Sequence, residues 1–111
     1  MTPDHFRKLA LNLPEAVESS HMGHADFRCG GKVFASLGYP DAGHGMLKLT
    51  PAQQRAAMIK APATFTPSAG AWGVRGATNV HLASAKVTTL RPAMKAAWQN
   101  LDAAPPKRKR S

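Results

Sequence analysis

The chain has 111 residues, 43% hydrophobic and 19% charged, and fifteen Lys and Arg against six Asp and Glu set a formal net charge of +9. That length and composition suit one globular domain whose core needs neither disulfide nor metal, and the single Cys29 excludes an internal disulfide and fits a reducing cytoplasm. No apolar run approaches the roughly 18 residues of a membrane span, and the short run 9–13 after Arg7-Lys8 is broken by Asn12 and too short for a secretory signal.

Thr2-Pro3-Asp4 opens a helix: a hydroxyl cap, proline at the first helical position, and an acid near the positive end of the dipole. Phe6, Leu9, Ala10 and Leu13 follow helical spacing, and Pro14 ends the element. Residues 17–22 read as a first strand. Next, Ala25, Phe27 and Cys29 alternate with Asp26 and Arg28, and Val33, Ala35 and Leu37 alternate with Lys32, Phe34 and Ser36. Gly30-Gly31 between these runs predicts a hairpin with a primed turn. A Gly- and Pro-containing loop over 38–45 leads to a strand at 45–49.

Thr50-Pro51-Ala52-Gln53 is a capping box, and the helix it opens should run to Lys60, with Ala56, Met58 and Ile59 as its apolar residues. Residues 61–76 are irregular, with Trp72 and Val74 marking a short strand. Residues 78–83 alternate as a strand, with Val80 and Leu82 on one face. Thr89 is the expected cap of the last helix, because Pro92 fits only its first turn. Leu90, Met94, Ala97, Trp98 and Leu101 form that helix's apolar stripe. Domain and tail divide at 1–102 and 103–111, the tail being expected to be mobile. The order α-β-β-β-β-α-β-β-α implies an α+β fold of two layers, an antiparallel sheet with helices on one face.

Charge is unevenly placed. The first 41 residues hold four basic and five acidic side chains, whereas residues 43–100 hold seven basic residues and no acid. Lys107-Arg108-Lys109-Arg110 close the chain. A positive field of this kind points to a polyanionic partner. Phe27, Phe34, Trp72 and Trp98 are expected in the core, leaving Tyr39 as the candidate exposed ring. His21-x-x-His24 with Cys29 does not have the spacing of a zinc finger, even with His44 or His81 added, and no metal site is assigned. The six carboxylates have no suggestive pairing, and the glycine-rich segments lack phosphate-loop and dinucleotide patterns. Cys29 lies on the Phe27 side of its strand, where a small buried thiol is the common outcome. No nucleophile, base and orienting group can be assembled, so no enzyme activity, catalytic residue or cofactor is expected.

Four segments in order carry a resemblance: Glu18 with His21-Met22-Gly23-His24-Ala25-Asp26-Phe27-Arg28 and Gly31-Lys32-Val33-Phe34-Ala35; then Leu47-Lys48-Leu49-Thr50-Pro51-Ala52-Gln53-Gln54; then Gly70-Ala71-Trp72-Gly73-Val74-Arg75-Gly76-Ala77-Thr78; and Ala97-Trp98. In these the chain resembles the MmcQ/YjbR family of small bacterial proteins, over nearly the whole body from Phe6 to Leu101. Ala25 departs from the proline usual before the Asp-Phe-Arg triplet. The resemblance implies a fold similar in shape to type III secretion chaperones. It also implies a DNA-binding role, in which two β-hairpin wings grip a duplex, and no catalytic set. On that reading Arg28 and Lys32 stand beside the Gly-Gly turn, Lys48, Arg55 and Arg75 extend the positive surface, and Lys107, Arg108, Lys109 and Arg110 assist through nonspecific phosphate contacts. Arg28 could equally pair with Asp26 two residues earlier on the same strand face. The other expectation is a protein- or peptide-interaction module whose charge steers an acidic partner. Oligomeric state is not legible in the sequence.

Overall fold

In the computed structural model, which describes residues 1–103, Thr2 Oγ1 accepts the His5 amide at 3.1 Å and opens α1 (Pro3–Leu11), which buries Phe6 and Ala10. Three strands follow as a meander: β1 (Val17–His21), β2 (His24–Cys29) and β3 (Lys32–Leu37). Both connecting turns have two residues at positive φ, Met22 and Gly23 at 52° and 83°, Gly30 and Gly31 at 60° and 81°. That is the backbone a right-twisted two-residue hairpin requires. The Gly-Gly turn falls where the sequence places it. β4 (His44–Lys48) pairs with β3 as the fourth strand of the sheet.

The predicted alternation of β3 fails at one residue, with a consequence for the core. Phe27 pairs with Ala35 but Arg28 pairs with Val33, so Phe34 is an extra residue in β3. Such a bulge sets two residues against one on the partner strand. Phe34, expected in the core as an aromatic but set on the polar side by strict alternation, is fully buried beside Ala35, and Val33 is only half-buried.

The capping box of α2 (Pro51–Lys60) is present in both directions. Thr50 Oγ1 accepts from Gln53 N at 3.1 Å, and Gln53 Oε1 accepts from Thr50 N at 2.9 Å. Its buried residue is Gln54, however, and Ile59 is 83% exposed. The Gln54 amide donates to Gly73 O and Ala77 O, each at 3.0 Å, and so clamps the next two elements. Trp72 and Val74 do not form a strand. They lie on a short helix α3 (Gly70–Val74), and the strand of this region is β5 (Phe65–Pro67), where Phe65 is buried. β6 (Ala77–His81) then enters the sheet, and the chain turns through the 3-10 segment Leu82–Ser84. The last helix, α4 (Val87–Ala103), starts before Thr89. Lys86 O accepts from Leu90 N at 2.8 Å, so Thr89 is not the cap and Pro92 sits beyond the first turn. Proline inside a helix costs about 3 kcal/mol. Burying Leu90 and Met94 at roughly 1.5–3 kcal/mol each offsets that cost.

The six strands form one antiparallel sheet in the order β1-β2-β3-β4-β6-β5. One face carries Phe27, Phe34, Ala35, Leu47 and Val80 under Phe6 of α1 and Leu90, Met94 and Ala97 of α4. α2 packs beside α4 and against β5 and β6. Among the described residues, no helix is long and apolar enough to cross a membrane. Residues 104–111, which include Lys107, Arg108, Lys109 and Arg110, lie outside the described residues.

Candidate nucleic-acid interface

Strand direction decides which basic residues meet. Cys29 pairs with Lys32 at the Gly30-Gly31 turn, Ala35 with Leu47, Lys48 with Ala77, and Thr78 with Pro67. The start of β3, the end of β4 and the start of β6 therefore share one end of the sheet. Lys32, Lys48 and Arg75 all lie at that end and are exposed, Lys32 on the sheet face of Cys29 and Phe27 and Lys48 on the opposite face with Arg28. Lys32 lies one strand over from Lys48 and two positions further along, roughly 8 Å between backbones at ordinary sheet spacings. The acid-free composition thus becomes a local surface property: none of Lys32, Lys48, Arg55 and Arg75 forms an ion pair among the described residues.

Arg28 reaches the same end but is already engaged. Its Nε donates to Asp26 Oδ1 at 2.8 Å and its second terminal nitrogen, Nη2, to Oδ2 at 3.0 Å. Asp26 is only 4% exposed, so the guanidinium satisfies a carboxylate that has left water. The hydrogen bond to Asp26 raises the Arg28 pKa further above its ordinary value. Arg55 is exposed but belongs to α2 in the helical layer, apart from the sheet face that carries Arg28 and Lys48.

Trp72 is the residue that sequence reasoning misplaced. It is 61% exposed, and Lys48 Nζ stands 5.6 Å from its ring centroid. Its neighbours hold the signal: Gly70 and Gly73 break any apolar period, and a Cβ on Gly73 would fall 1.8 Å from Ser68 O. Gly73 thus packs its backbone against the segment that precedes the helix, and the Trp72 indole is left outside. Tyr39 is 62% exposed, as expected. Phe27 and Phe34 are fully buried, while Trp98 is half-buried with its indole Nε1 donating to Pro14 O at 3.1 Å.

α4 also reaches the basic end. Asn100 Nδ2 donates to Lys48 O at 3.2 Å and to Gln53 Oε1 at 2.8 Å, and Gln53 Nε2 donates back to Asn100 Oδ1 at 3.2 Å. Ala103 follows three residues later, roughly 4.5 Å along a helix.

The other end of the sheet is chemically different. His21 pairs with His24 at the Met22-Gly23 turn, and His44 pairs with His81 with ring centroids 4.2 Å apart. Asp41 Oδ1 bonds His44 Nδ1 at 2.8 Å and accepts the Gly43 amide at 2.9 Å, and these contacts, His44 first, lower the Asp41 pKa. Cys29, expected to be a buried thiol, is half-buried. Among the described residues, no three His, Cys, Asp or Glu converge as metal ligands. The two hairpin turns thus point to opposite ends of the sheet, and only the Gly30-Gly31 tip is flanked by the basic cluster.

The YjbR family model matches residues 11–100. The chain belongs to the YjbR family. In the YjbR region lie all six strands, the capping box and the Trp72 helix. The crystal structure of Deinococcus radiodurans protein DR2400, with a DUF419 domain, has a similar fold, with a TM-score of 0.75 over 93% of this chain and 80% of that chain at 15% identity. No curated protein matches the chain in sequence. The YjbR architecture accords with the expected antiparallel α+β class. The order differs only in that the fifth strand comes earlier and α3 takes its expected place.

Proposed function

We propose that this YjbR-family chain binds duplex DNA, largely without sequence preference, through phosphate contacts at the basic end of its sheet. The supporting observation is that Lys32, Lys48 and Arg75, exposed and without an acid partner among the described residues, share one end of the sheet, at a turn, a strand end and a helix end. Cations so placed give affinity by releasing counterions rather than by reading bases. Lys107 to Arg110 follow α4 in the sequence and add four further cations to the chain. Arg55 adds long-range attraction from the helical layer, and Arg28 contributes mainly by holding Asp26. This reading uses one hairpin tip and no catalytic step.

The test is the salt dependence of binding to mixed-sequence duplexes, followed by fluorescence anisotropy. Removing residues 107–110 should flatten the log-affinity against log-salt slope by about one to two. Absence of any binding in dilute buffer defeats the proposal. One observation favours a different partner: β1 is exposed at all five residues and pairs on one side only, a free edge able to accept an extended peptide. An acidic peptide held there would show the same attraction at low salt, but its binding would survive loss of Lys32, Lys48 and Arg75.

A further inference from the structure

A cavity of about 420 Å³ opens between the end of α1 and the outer side of α4. Leu9, Leu13, Pro14 and Trp98 supply its apolar wall, and Arg91 and Lys95 stand on it as well. Arg91, Lys95 and Trp98 are spaced i, i+4 and i+7, so they occupy one stripe of α4. The bond from Trp98 Nε1 to Pro14 O fixes the indole as a preformed wall. Leu9 and Leu13 are half-buried, already ordered by the core they touch.

The charges here have a different setting from those at the sheet end. Arg91 and Lys95 are exposed, and among the described residues neither forms an ion pair and no carboxylate lines the cavity. An apolar wall rewards hydrocarbon, while two cations one turn apart on the same helix stripe reward an anionic head, and Arg can grip a carboxylate with two parallel bonds. The volume falls within the roughly 300–1,000 Å³ range of small-molecule sites. A nucleic-acid backbone would satisfy the cations and leave the apolar wall unused. We infer that the groove between α1 and α4 is a binding site for a small amphipathic organic acid, its hydrocarbon against Leu9, Leu13 and Trp98 and its carboxylate on Arg91 and Lys95. This site is independent of the nucleic-acid reading.

Octanoate is a suitable probe and 1-octanol its uncharged control. Titration of the full chain is followed by NMR at the Trp98 indole N–H, assigned through Trp98→Phe. Octanoate should shift that resonance saturably. Octanol should bind about tenfold more weakly, and the double variant Arg91→Gln, Lys95→Gln should weaken octanoate by a similar factor. Both side chains are exposed, so the double variant keeps its fold, which its circular dichroism melt verifies. The inference is overturned by no saturable shift at Trp98, by equal affinity for octanol and octanoate, or by a folded double variant that binds octanoate as tightly as the parent.

Discussion

Replacing Lys32, Lys48 and Arg75 together by Gln removes the three unpaired cations at the sheet end while leaving the core untouched, since all three are exposed. Each phosphate contact contributes about 0.9 to the salt slope on duplex DNA, so three contacts contribute up to about 2.7. Between about 50 and 200 mM salt, a slope difference of that size means the parent loses roughly 40-fold more affinity than the variant. Arg28 provides an internal control. Its guanidinium is bound at two points to Asp26, so the pair is close to neutral as seen by a phosphate. Arg28→Gln should therefore change the slope by well under 0.9. It should lower the melting temperature more than Lys32→Gln does, because Asp26 is left buried without its cation. The assay is anisotropy of a labelled mixed-sequence duplex across a salt series, with thermal melts of each variant. The reasoning is refuted if the triple variant keeps the parent slope, or if Arg28→Gln alone flattens it as much as the triple variant does.

Three further outcomes concern the scaffold. Gly76 has φ of 113°, and a Cβ there would lie 2.1 Å from Leu49 O, so Gly76→Ala should cost at least about 2 kcal/mol and roughly 10 °C in melting temperature; a change near zero contradicts the close approach. Thr50→Ala removes one half of the capping box and should cost about 1 kcal/mol, roughly 5 °C, with α2 amides exchanging faster. Asp41 has a lowered pKa, so its contacts stabilise the fold above the usual carboxylate value of about 3.9 and lose that effect as pH falls through the depressed value. Asp41→Asn should accordingly melt below the parent near neutral pH, and the two should converge in acid; an undiminished gap at low pH would count against the His44 and Gly43 contacts as its cause.

Features decided within a few residues were legible in the sequence. The caps at Thr2 and Thr50 and the Gly30-Gly31 turn depend on backbone amides or dihedrals no more than three positions away, and all three occur as read. Features that depend on a distant partner were not legible. Phe34 is in the core as its ring implies, but the bulge that puts it there beside Ala35 comes from β2, which sets Phe27 against Ala35 and Arg28 against Val33, a register that alternation along β3 alone does not contain. Gln54 is buried because Gly73 O and Ala77 O, about twenty residues on, need its amide, while Ile59 on the same helix faces water. Trp72 was read as core from its ring alone. Instead α3 leaves its ring exposed.

For the candidate interface the division is similar. Composition alone established that residues 43–100 carry seven cations and no carboxylate, because charge content does not depend on folding. Only the tertiary structure selected among these and the cations that precede them, Arg28 and Lys32. The antiparallel order β2-β3-β4-β6 brings Lys32, Lys48 and Arg75 to one end, assigns Arg28 to a buried Asp26, and leaves Arg55 in the helical layer. Strand direction and register are set by burying Phe27, Phe34, Leu47 and Val80 together, and the surface charges go where that burial carries them.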